Sequence, residues 1–415
     1  MQTSIFIKCT AFRQMIFTLL LLFFFSITLP AFALDFNGYF RSGVGANHKG
    51  GDQICFKLPG ASSKYRLGNE CESSATIRFS ENIKPTDTAG KFKVYSTFVY
   101  ESEAEKDWEQ YKSTMREAYA AGTNFGANKW KQVKYWIGQR MMRKDVHITD
   151  YFYWDNSGVG AGFANLPVDR YKISYSLISN VNDTFDEQNI RTQVNNRSMI
   201  THDLRISKIP VNIMSELLVG LAWMQSYESD SNINGQNGWQ IHITHEQKEL
   251  LSGYNRLVLQ YGRGAGATLN RNPDDTAAPD DKTIRLVEQL LIQPSSLWSA
   301  MGTVVFEKKE NKQNWLSFGI RPVYHITSHV SFAVEAGYDQ VKPENKSIRK
   351  LAKLTLSPQL SSGRKFFSRP VLRAFITYAK WNSAAQAAGL AGGNSDAFGT
   401  ATQGITFGFQ VEAWW

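Results

Sequence analysis

The sequence lacks the features of a helical membrane protein and of several common enzyme classes. Beyond Leu34 no apolar run reaches the roughly 18 residues that a transmembrane helix needs, and the mean hydropathy is −0.33. The patterns H-E-x-x-H and G-x-S-x-G do not occur. Proline is scarce, with 12 residues, whereas glycine (31) and aromatic residues (13%) are frequent. This composition leaves a large soluble β protein or an outer-membrane barrel, whose alternating strands escape hydropathy plots.

Cysteine is also scarce. Of the three cysteines, Cys9 lies in the amino-terminal segment described next, which leaves Cys55 and Cys71. In an exported protein an even pair of cysteines predicts a disulfide, and a loop of this length would add about 3 kcal/mol. Two free thiols are the alternative.

Residues 1–33 have the pattern of a secretory signal peptide. Lys8 and Arg13 precede the apolar run 15–27, and the segment ends in A-F-A, an A-x-A cleavage pattern. We therefore predict a mature chain that starts at Leu34 and forms one domain over residues 34–415. A membrane anchor is the weaker alternative, because the run is shorter than a membrane span.

Positive charge exceeds negative charge moderately. The formal net charge is +9, and two of the basic residues lie in the predicted signal. The excess fits contact with anionic lipopolysaccharide or a preference for anionic solutes. No basic stripe with interleaved aromatic residues is present, so no nucleic-acid partner is predicted, and no motif calls for a cofactor or a metal.

The mature chain is a succession of segments in which polar and apolar residues alternate. Period-2 alternation predicts strands with one apolar and one polar face. The even total of 18 fits a closed all-β antiparallel transmembrane barrel, since closure removes unpaired edges. A soluble β-sandwich would show the same alternation. The candidate strands are 34–46, 64–82, 91–103, 115–122, 130–141, 157–165, 168–179, 197–211, 214–227, 238–250, 254–266, 282–294, 298–310, 314–327, 330–343, 346–360, 369–382 and 405–415.

Alternation also predicts which side chains face the inside of such a barrel. Tyr39 and Arg41 share a face with polar residues, as do Tyr254 and, at the far end, Trp414. The opposite face carries the apolar side chains, including the terminal Trp415. Residues 382–403, rich in alanine, glycine and serine, read as an exposed loop.

The stretch 143–162, R-K-D-V-H-I-T-D-Y-F-Y-W-D-N-S-G-V-G-A-G, has neither a strand nor a helix period. It combines two cations, three carboxylates, a histidine and four aromatic residues, which is typical of a functional loop. Charged groups beside flat rings suit a polar ligand with apolar faces, such as a sugar. Catalysis or metal binding by Asp145, His147 and Asp150 is an alternative, but a lone histidine with two carboxylates on an irregular loop is a weak motif.

Several longer motifs carry a family resemblance. The segments L-D-F-N-G-Y-F-R-S-G-V-G, S-K-Y-R-L-G-N-E-C-E, D-V-H-I-T-D-Y-F-Y-W-D-N-S-G-V-G-A-G, G-I-R-P-V-Y, S-R-P-V-L-R-A-F-I-T-Y-A-K-W and V-E-A-W-W occur in this order from Leu34 to Trp415. Together they resemble the maltoporin family of outer-membrane sugar porins. The resemblance implies a homotrimer of 18-stranded barrels, each with its lumen narrowed by an inward-folded third loop, located in the cell outer membrane among lipid and lipopolysaccharide. A periplasmic sugar-binding protein is a further possible partner.

The resemblance also implies the residues of a sugar path. Oligosaccharides would move along a row of rings, called the greasy slide, beside charged residues that exchange hydrogen bonds with hydroxyls. The slide would comprise Tyr39, Trp108 from a neighbouring subunit, Tyr254, Phe367 and Trp414. The constriction and polar track would comprise Arg41, Arg66, Arg116, Arg143, Asp145, Asp150 and Phe152.

Three positions depart from the family pattern. Ser74 replaces a slide tyrosine, Thr76 a glutamate, and Phe152 the constriction tyrosine. A substrate other than plain maltodextrin is therefore open, including sucrose-like disaccharides, aryl glucosides and charged sugars. The alternative function is a non-selective diffusion porin, which would need no row of rings.

Overall fold

The computed structural model describes residues 34–83, 90–103, 112–181, 184–185, 191–193, 198–227, 235–270, 273–274, 276–395 and 397–415. The predicted signal, 1–33, and Trp108 lie outside these residues. Residues Phe36–Trp415 form one compact unit. No helix in the described ranges is both long and apolar enough to cross a bilayer.

Nearly all regular structure is β-strand. The strands are β1 (Asp35–Asn47), β2 (Glu72–Ile83), β3 (Lys91–Glu103), β4 (Lys112–Thr123), β5 (Lys134–Arg140), β6 (Arg143–Val146), β7 (Tyr151–Asp155), β8 (Gly158–Val168), β9 (Tyr171–Val181), β10 (Thr184–Phe185), β11 (Arg191–Gln193), β12 (Ser198–Asn212), β13 (Ser215–Tyr227), β14 (Gly238–Leu250), β15 (Gly253–Gly264), β16 (Lys282–Ile292), β17 (Trp298–Lys309), β18 (Gln313–His325), β19 (Val330–Pro343), β20 (Arg349–Ser361), β21 (Val371–Trp381) and β22 (Gln403–Trp414). One α-helix, α1 (Ser383–Ala387), and 3₁₀ turns at Asn128–Gln132, Ala265–Thr268 and Leu390–Ser395 complete the elements.

Eighteen of these strands form one closed antiparallel barrel. Each pairs with the next along the chain, and β22 returns to β1, where Tyr39 lies opposite Trp414 and Arg41 opposite Glu412. The β6–β7 and β10–β11 hairpins are separate two-stranded sheets. Closure satisfies the backbone groups of the first and last strands, as a bilayer requires. The prediction of an 18-stranded antiparallel barrel is confirmed.

Side chains sort to the two faces of the wall as the alternation predicts. On β22, Phe407 and Phe409 are exposed on the outer face (46% and 66%), whereas Thr406, Gln410 and Glu412 are buried inside. On β18, Phe318 is likewise exposed. The apolar residues therefore form the outer band of the barrel, and the polar residues line its interior.

The two ends of the barrel differ in their connections. One end carries the long connections 48–71, 141–157, 265–281 and 382–402. The other carries the two-residue turns 169–170, 213–214 and 251–252, beside connections of intermediate length such as 124–133 and 362–370. In outer-membrane barrels the longer loops are extracellular and the short turns periplasmic. Both described chain ends, Leu34 and Trp415, lie at the short-turn end.

Two sequence predictions were wrong in detail. The predicted strand 64–82 begins only at Glu72, because residues 64–71 belong to a loop that turns into the lumen. The segment 382–403 is not simply an exposed loop: it contains α1, capped by Asn382, and buries Leu390 and Phe398. Phe398 packs against Trp381 of the wall and Phe56 of the first loop. These tertiary contacts order a segment whose alanine, glycine and serine content predicted an exposed loop.

Candidate functional site

The third loop, 141–157, folds back into the barrel and contacts the opposite wall. Asn156 donates a hydrogen bond to Asp203 on β12 (2.9 Å), and Arg285 on β16 donates one to the Tyr153 carbonyl oxygen (2.8 Å). The Tyr151 hydroxyl donates to Glu307 on β17 (3.3 Å). The loop's apolar side chains are buried, including Val146, Ile148, Tyr151, Tyr153 and Trp154. These contacts hold the loop against the inner face of the strands β12, β16 and β17.

The first loop, 48–71, also enters the lumen and is closed by the Cys55–Cys71 disulfide that the sequence predicted. Its Tyr65 ring occupies a notch in the wall where Gly319 and Gly337 lie opposite each other, and a Cβ on either glycine would overlap the ring. The absence of side chains at this cross-strand pair is therefore what admits the tyrosine.

Beyond Tyr65 the same loop is held by buried polar contacts. The Leu67 backbone N–H donates to Glu335 (3.0 Å), and Lys353 donates to the Leu67 carbonyl oxygen (2.8 Å). The Arg66 backbone N–H donates to the Ile148 carbonyl oxygen of the third loop (3.1 Å). The two loops thus brace each other inside the barrel.

A cavity of about 680 Å³ lies between the loops and the inner face of the barrel, where β1, β2, β3, β4, β15, β16 and β22 contribute side chains to its lining. It collects nearly all residues that the resemblance implied, although their sequence positions span most of the chain. The lining includes Tyr39, Tyr254, Phe367, Trp414, Arg41, Arg66, Arg116, Arg143, Asp145, Asp150 and Phe152, and also Ser74 and Thr76. Of the predicted set, only Trp108 is left out, because it lies outside the described residues.

Three of the predicted slide rings are neighbours. The Tyr39 and Trp414 rings are stacked with centroids 6.4 Å apart and planes inclined by 19°. The Phe367 centroid lies 6.3 Å from that of Trp414. Tyr254 lines the same cavity beneath the Arg256 guanidinium, which is 4.9 Å from its ring centroid. Cavity-facing rings at these separations form a discontinuous apolar strip.

A network of ion pairs, some of them buried, lies beside the rings. Arg41 contacts Glu72 (2.6 Å) and Asp150 (3.1 Å), and Arg66 contacts Glu70 (2.7 Å) and Glu412 (3.1 Å). The Arg66 guanidinium also donates to the Tyr39 hydroxyl (2.7 Å). The Arg41–Asp150 contact ties the third loop directly to the first strand. The polar track is thus a set of mutually oriented charges at the edge of the ring strip.

In the lining of the cavity the Arg143 guanidinium lies over the Phe152 ring, 4.0 Å from its centroid. Asp145 lies in the same lining. Burial, together with the neighbouring Asp150 carboxylate, raises the pKa of Asp145 above its ordinary value. An arginine on an aromatic face and a partly desolvated carboxylate thus place groups of both charge types in the cavity lining.

His147 packs under the ring strip. Its centroid is 5.1 Å from that of Phe367 and 5.9 Å from that of Trp414, with the rings edge to face. Its Nε2 lies 3.3 Å from the Arg369 guanidinium and accepts its hydrogen bond in the neutral form. Burial, with the nearby Arg66 and Arg369, lowers the pKa of His147 well below its ordinary value.

The comparison with known families now decides the class of the protein. A family model described as LamB porin matches residues 34–415, the whole barrel. The chain belongs to the LamB porin family. It is therefore a channel-forming protein of the outer membrane.

Solved structures agree with the fold of this LamB porin. The chain is similar to a BenF-like porin from Pseudomonas fluorescens Pf-5, with a TM-score of 0.54 and 8% identity over 92% of this chain and 98% of that chain. It is also similar to OccAB2 of Acinetobacter baumannii, with a TM-score of 0.52 and 9% identity over 92% and 98% of the two chains. At identities this low, the similarity shows a shared fold alone.

Sequence reasoning missed several residues that shape the site of this LamB porin. Glu412 receives Arg66, Arg369 and Arg373, with nitrogen–oxygen distances of 3.1, 2.7 and 3.1 Å. The Arg369 guanidinium also lies 4.2 Å from the Trp414 ring centroid. Alternation already placed Glu412 on the inner face, but nothing local indicated three arginine partners from distant segments.

The metal alternative for Asp145, His147 and Asp150 finds no support in the geometry. Asp150 is engaged with Arg41, and His147 faces Arg369. Within the described ranges no group of three or more His, Cys, Asp or Glu side chains is placed to hold a metal ion.

Proposed function

We propose that this LamB porin conducts oligosaccharides across the outer membrane by facilitated diffusion. The observation that carries the proposal is the single cavity in which the Tyr39, Trp414 and Phe367 rings lie beside Arg41, Asp150 and their ion-pair partners. A non-selective diffusion channel has no need of such a strip of rings.

The chemistry of sugars fits this arrangement. A pyranose presents apolar C–H faces that lie flat on aromatic rings, and a rim of hydroxyls that form charge-assisted hydrogen bonds. Several rings in succession offer similar weak sites, so a bound sugar can move from one to the next. Conduction requires binding that is strong enough for entry and weak enough for release.

The departures from the family pattern bear on which sugars pass. At Ser74 and Thr76 the cavity wall carries small hydroxyl side chains in place of a ring and a carboxylate, and Phe152 contributes a ring without a hydroxyl. We propose a path that accepts maltodextrin-like chains as well as other di- and oligosaccharides. In this path the arginines and carboxylates form the hydrogen bonds to the sugar hydroxyls.

The proposed assembly follows the family resemblance. We propose a homotrimer in which Trp108 of a neighbouring subunit contributes to the slide. A periplasmic sugar-binding protein that collects the transported sugar is a further proposed partner. Chemical cross-linking of the protein in native membranes should give a ladder that ends at three subunits.

Single-channel recording tests the substrate proposal. Maltodextrins, sucrose, raffinose, an aryl glucoside and a uronic-acid oligomer would each be added to the purified porin in planar bilayers. At least one sugar should block the current in a saturable way. Trp414→Ala should weaken that block about tenfold, or ~1.4 kcal/mol, because a stacking surface is lost.

Trp298→Ala is the matched control, since Trp298 is exposed on the barrel wall (49%) and does not line the cavity. It should leave the block unchanged. Current that no sugar in the panel blocks would instead favour the non-selective diffusion porin.

A further inference from the structure

A second concave site lies on the outer side of the barrel, at the end with the long loops. It is a shallow depression of about 940 Å³ between the connection 310–312 and the connection 344–348. We call it the lysine depression, because its lining contains Lys308, Lys309, Lys312, Lys342 and Lys346. It is separate from the cavity inside the barrel that Tyr39, Phe367 and Trp414 line, and the two share no lining residue.

Only some of these lysines have a carboxylate partner. Lys309 contacts Glu307 (3.1 Å), and Lys312 contacts Asp281 (2.9 Å). Lys308, Lys342 and Lys346 are exposed and, within the described part of the chain, none of them forms an ion pair. The lining contains a single carboxylate, Glu344, so the depression as a whole is strongly positive.

The strand register brings the unpaired charges together. Lys308 lies opposite Asn314, and Asn314 lies opposite Lys342 on the next strand. Neighbouring strands are about 4.8 Å apart, so the two lysine backbones are separated by about 10 Å. Two flexible lysine side chains at that spacing can both reach one anion with their ammonium groups. Without an anion the two ammonium groups repel each other.

The position of the depression relative to the membrane is set by the rings below it. On the same outer face Phe306 precedes Lys308 by two residues, and the paired Phe318 and Tyr338 rings lie 5.1 Å apart. Aromatic residues mark the boundary of the hydrocarbon layer in outer-membrane barrels. The lysines lie beyond that boundary, at the level of the lipid headgroups on the long-loop side.

At the opposite end of the barrel, two exposed lysines share a carboxylate partner. There Lys208 and Lys248 both contact Glu216, at 3.0 and 3.1 Å. Glu216 supplies a counter-charge for this pair, whereas Lys308 and Lys342 at the long-loop end have a neutral asparagine between them. No carboxylate in the described part of the chain pairs with Lys308 or Lys342, so an anion from outside the chain can supply their counter-charge.

We propose that the lysine depression binds a phosphate group of the phosphorylated glycolipid in the outer leaflet of the outer membrane. Lysine is a point-charge phosphate ligand, and three of them around one concave surface match a phosphorylated headgroup. Asn314 and Asn345, also in the lining, offer amide groups to the remaining headgroup oxygens. The acyl chains of the lipid would lie along the apolar wall below.

Binding of defined lipids to the purified full-length porin tests this site. Native mass spectrometry would compare bisphosphorylated lipid A with the same lipid A after removal of both phosphates. The wild-type protein should retain the phosphorylated lipid about tenfold better, in line with several exposed charge contacts. The variant K308Q/K342Q/K346Q should lose this preference, and Lys342→Gln alone should lose part of it.

The control variant K91Q/K129Q/K131Q removes the same charge from exposed lysines at the short-turn end and should keep the preference. Retained heat-resistant migration and unchanged conductance would verify folding of all variants. Equal retention of both lipids, or an equal loss in the control variant, would overturn the proposal. Displacement of the lipid by millimolar inorganic phosphate would reassign the site to a soluble anion and overturn it as well.

Discussion

Glu412 is the residue on which the charge network of the channel depends most directly. Arg369 and Arg373 have no other carboxylate partner among the described residues, whereas Arg66 also contacts Glu70. The side chains are nearly inaccessible, at 1% for Glu412, 3% for Arg369 and 5% for Arg373. Glu412→Gln would therefore leave two buried guanidinium groups without a counter-charge.

The expected cost is large because the partners are buried. Removing one member of a buried ion pair costs about 3–5 kcal/mol, since an uncompensated charge remains in a poorly solvated site. An effect on sugar binding should follow, because Arg369 would lose the contact that holds it over the Trp414 ring. We expect sugar block to weaken together with stability in this variant.

The free energy of unfolding would be measured by urea titration of the porin in lipid vesicles, with folding followed by tryptophan fluorescence. Glu344→Gln, which changes an exposed carboxylate that forms no ion pair with any described residue, is the control and should cost less than about 0.5 kcal/mol. The double variant Glu412→Gln/Arg373→Gln removes one of the stranded cations and should recover part of the loss. A loss below about 1 kcal/mol for Glu412→Gln would show that channel water solvates these arginines, contrary to our reasoning.

Three further predictions concern the loops. The pKa of His147 is lower in the folded state than in the unfolded state, so the stability of the protein should fall as pH drops below about 6.5. His147→Gln removes this titration and should make the thermal unfolding temperature less dependent on pH between about 6.5 and 5. Replacing Cys55 and Cys71 by serine opens a link between residues 16 apart and should cost about 3 kcal/mol in urea unfolding without reductant; an unchanged midpoint would contradict this. Gly337→Ala should cost about 1–3 kcal/mol, because its methyl group overlaps a ring of the first loop, whereas Gly302→Ala, whose methyl group has room, should be nearly neutral in the same titration.

The barrel was largely predictable from the sequence because strand alternation is a local property. Each of the 18 candidate segments overlaps a barrel strand, and the inward positions of Tyr39, Tyr254 and Trp414 followed from counting residues by twos. The start of β2 was misplaced, because residues 64–71 also alternate. Their backbone groups bond to the third loop and to wall side chains such as Glu335 and Lys353 rather than to a neighbouring strand, and no local pattern indicates that.

The candidate site was predictable as a set of residues through the family resemblance, but not as an arrangement. The role of Gly319 and Gly337 as a notch for Tyr65 depends on two strands meeting in one register and a loop reaching them from far along the chain. The same holds for the lysine depression, where the register places Lys308 and Lys342 on either side of Asn314. In both cases the residues are far apart along the chain, so the sequence alone does not indicate that they lie close together.

By itself, the sequence determined that this chain forms a β-barrel, which face of each strand meets lipid, and which pair of cysteines is joined. Those properties follow from period-2 alternation and from composition, which act over a few residues at a time. Only the tertiary structure decided which carboxylate neutralises which arginine, how two loops share the lumen, and where unpaired lysines gather on the outer rim. Those properties depend on closure of the barrel, because closure brings into contact groups that hundreds of residues separate along the chain.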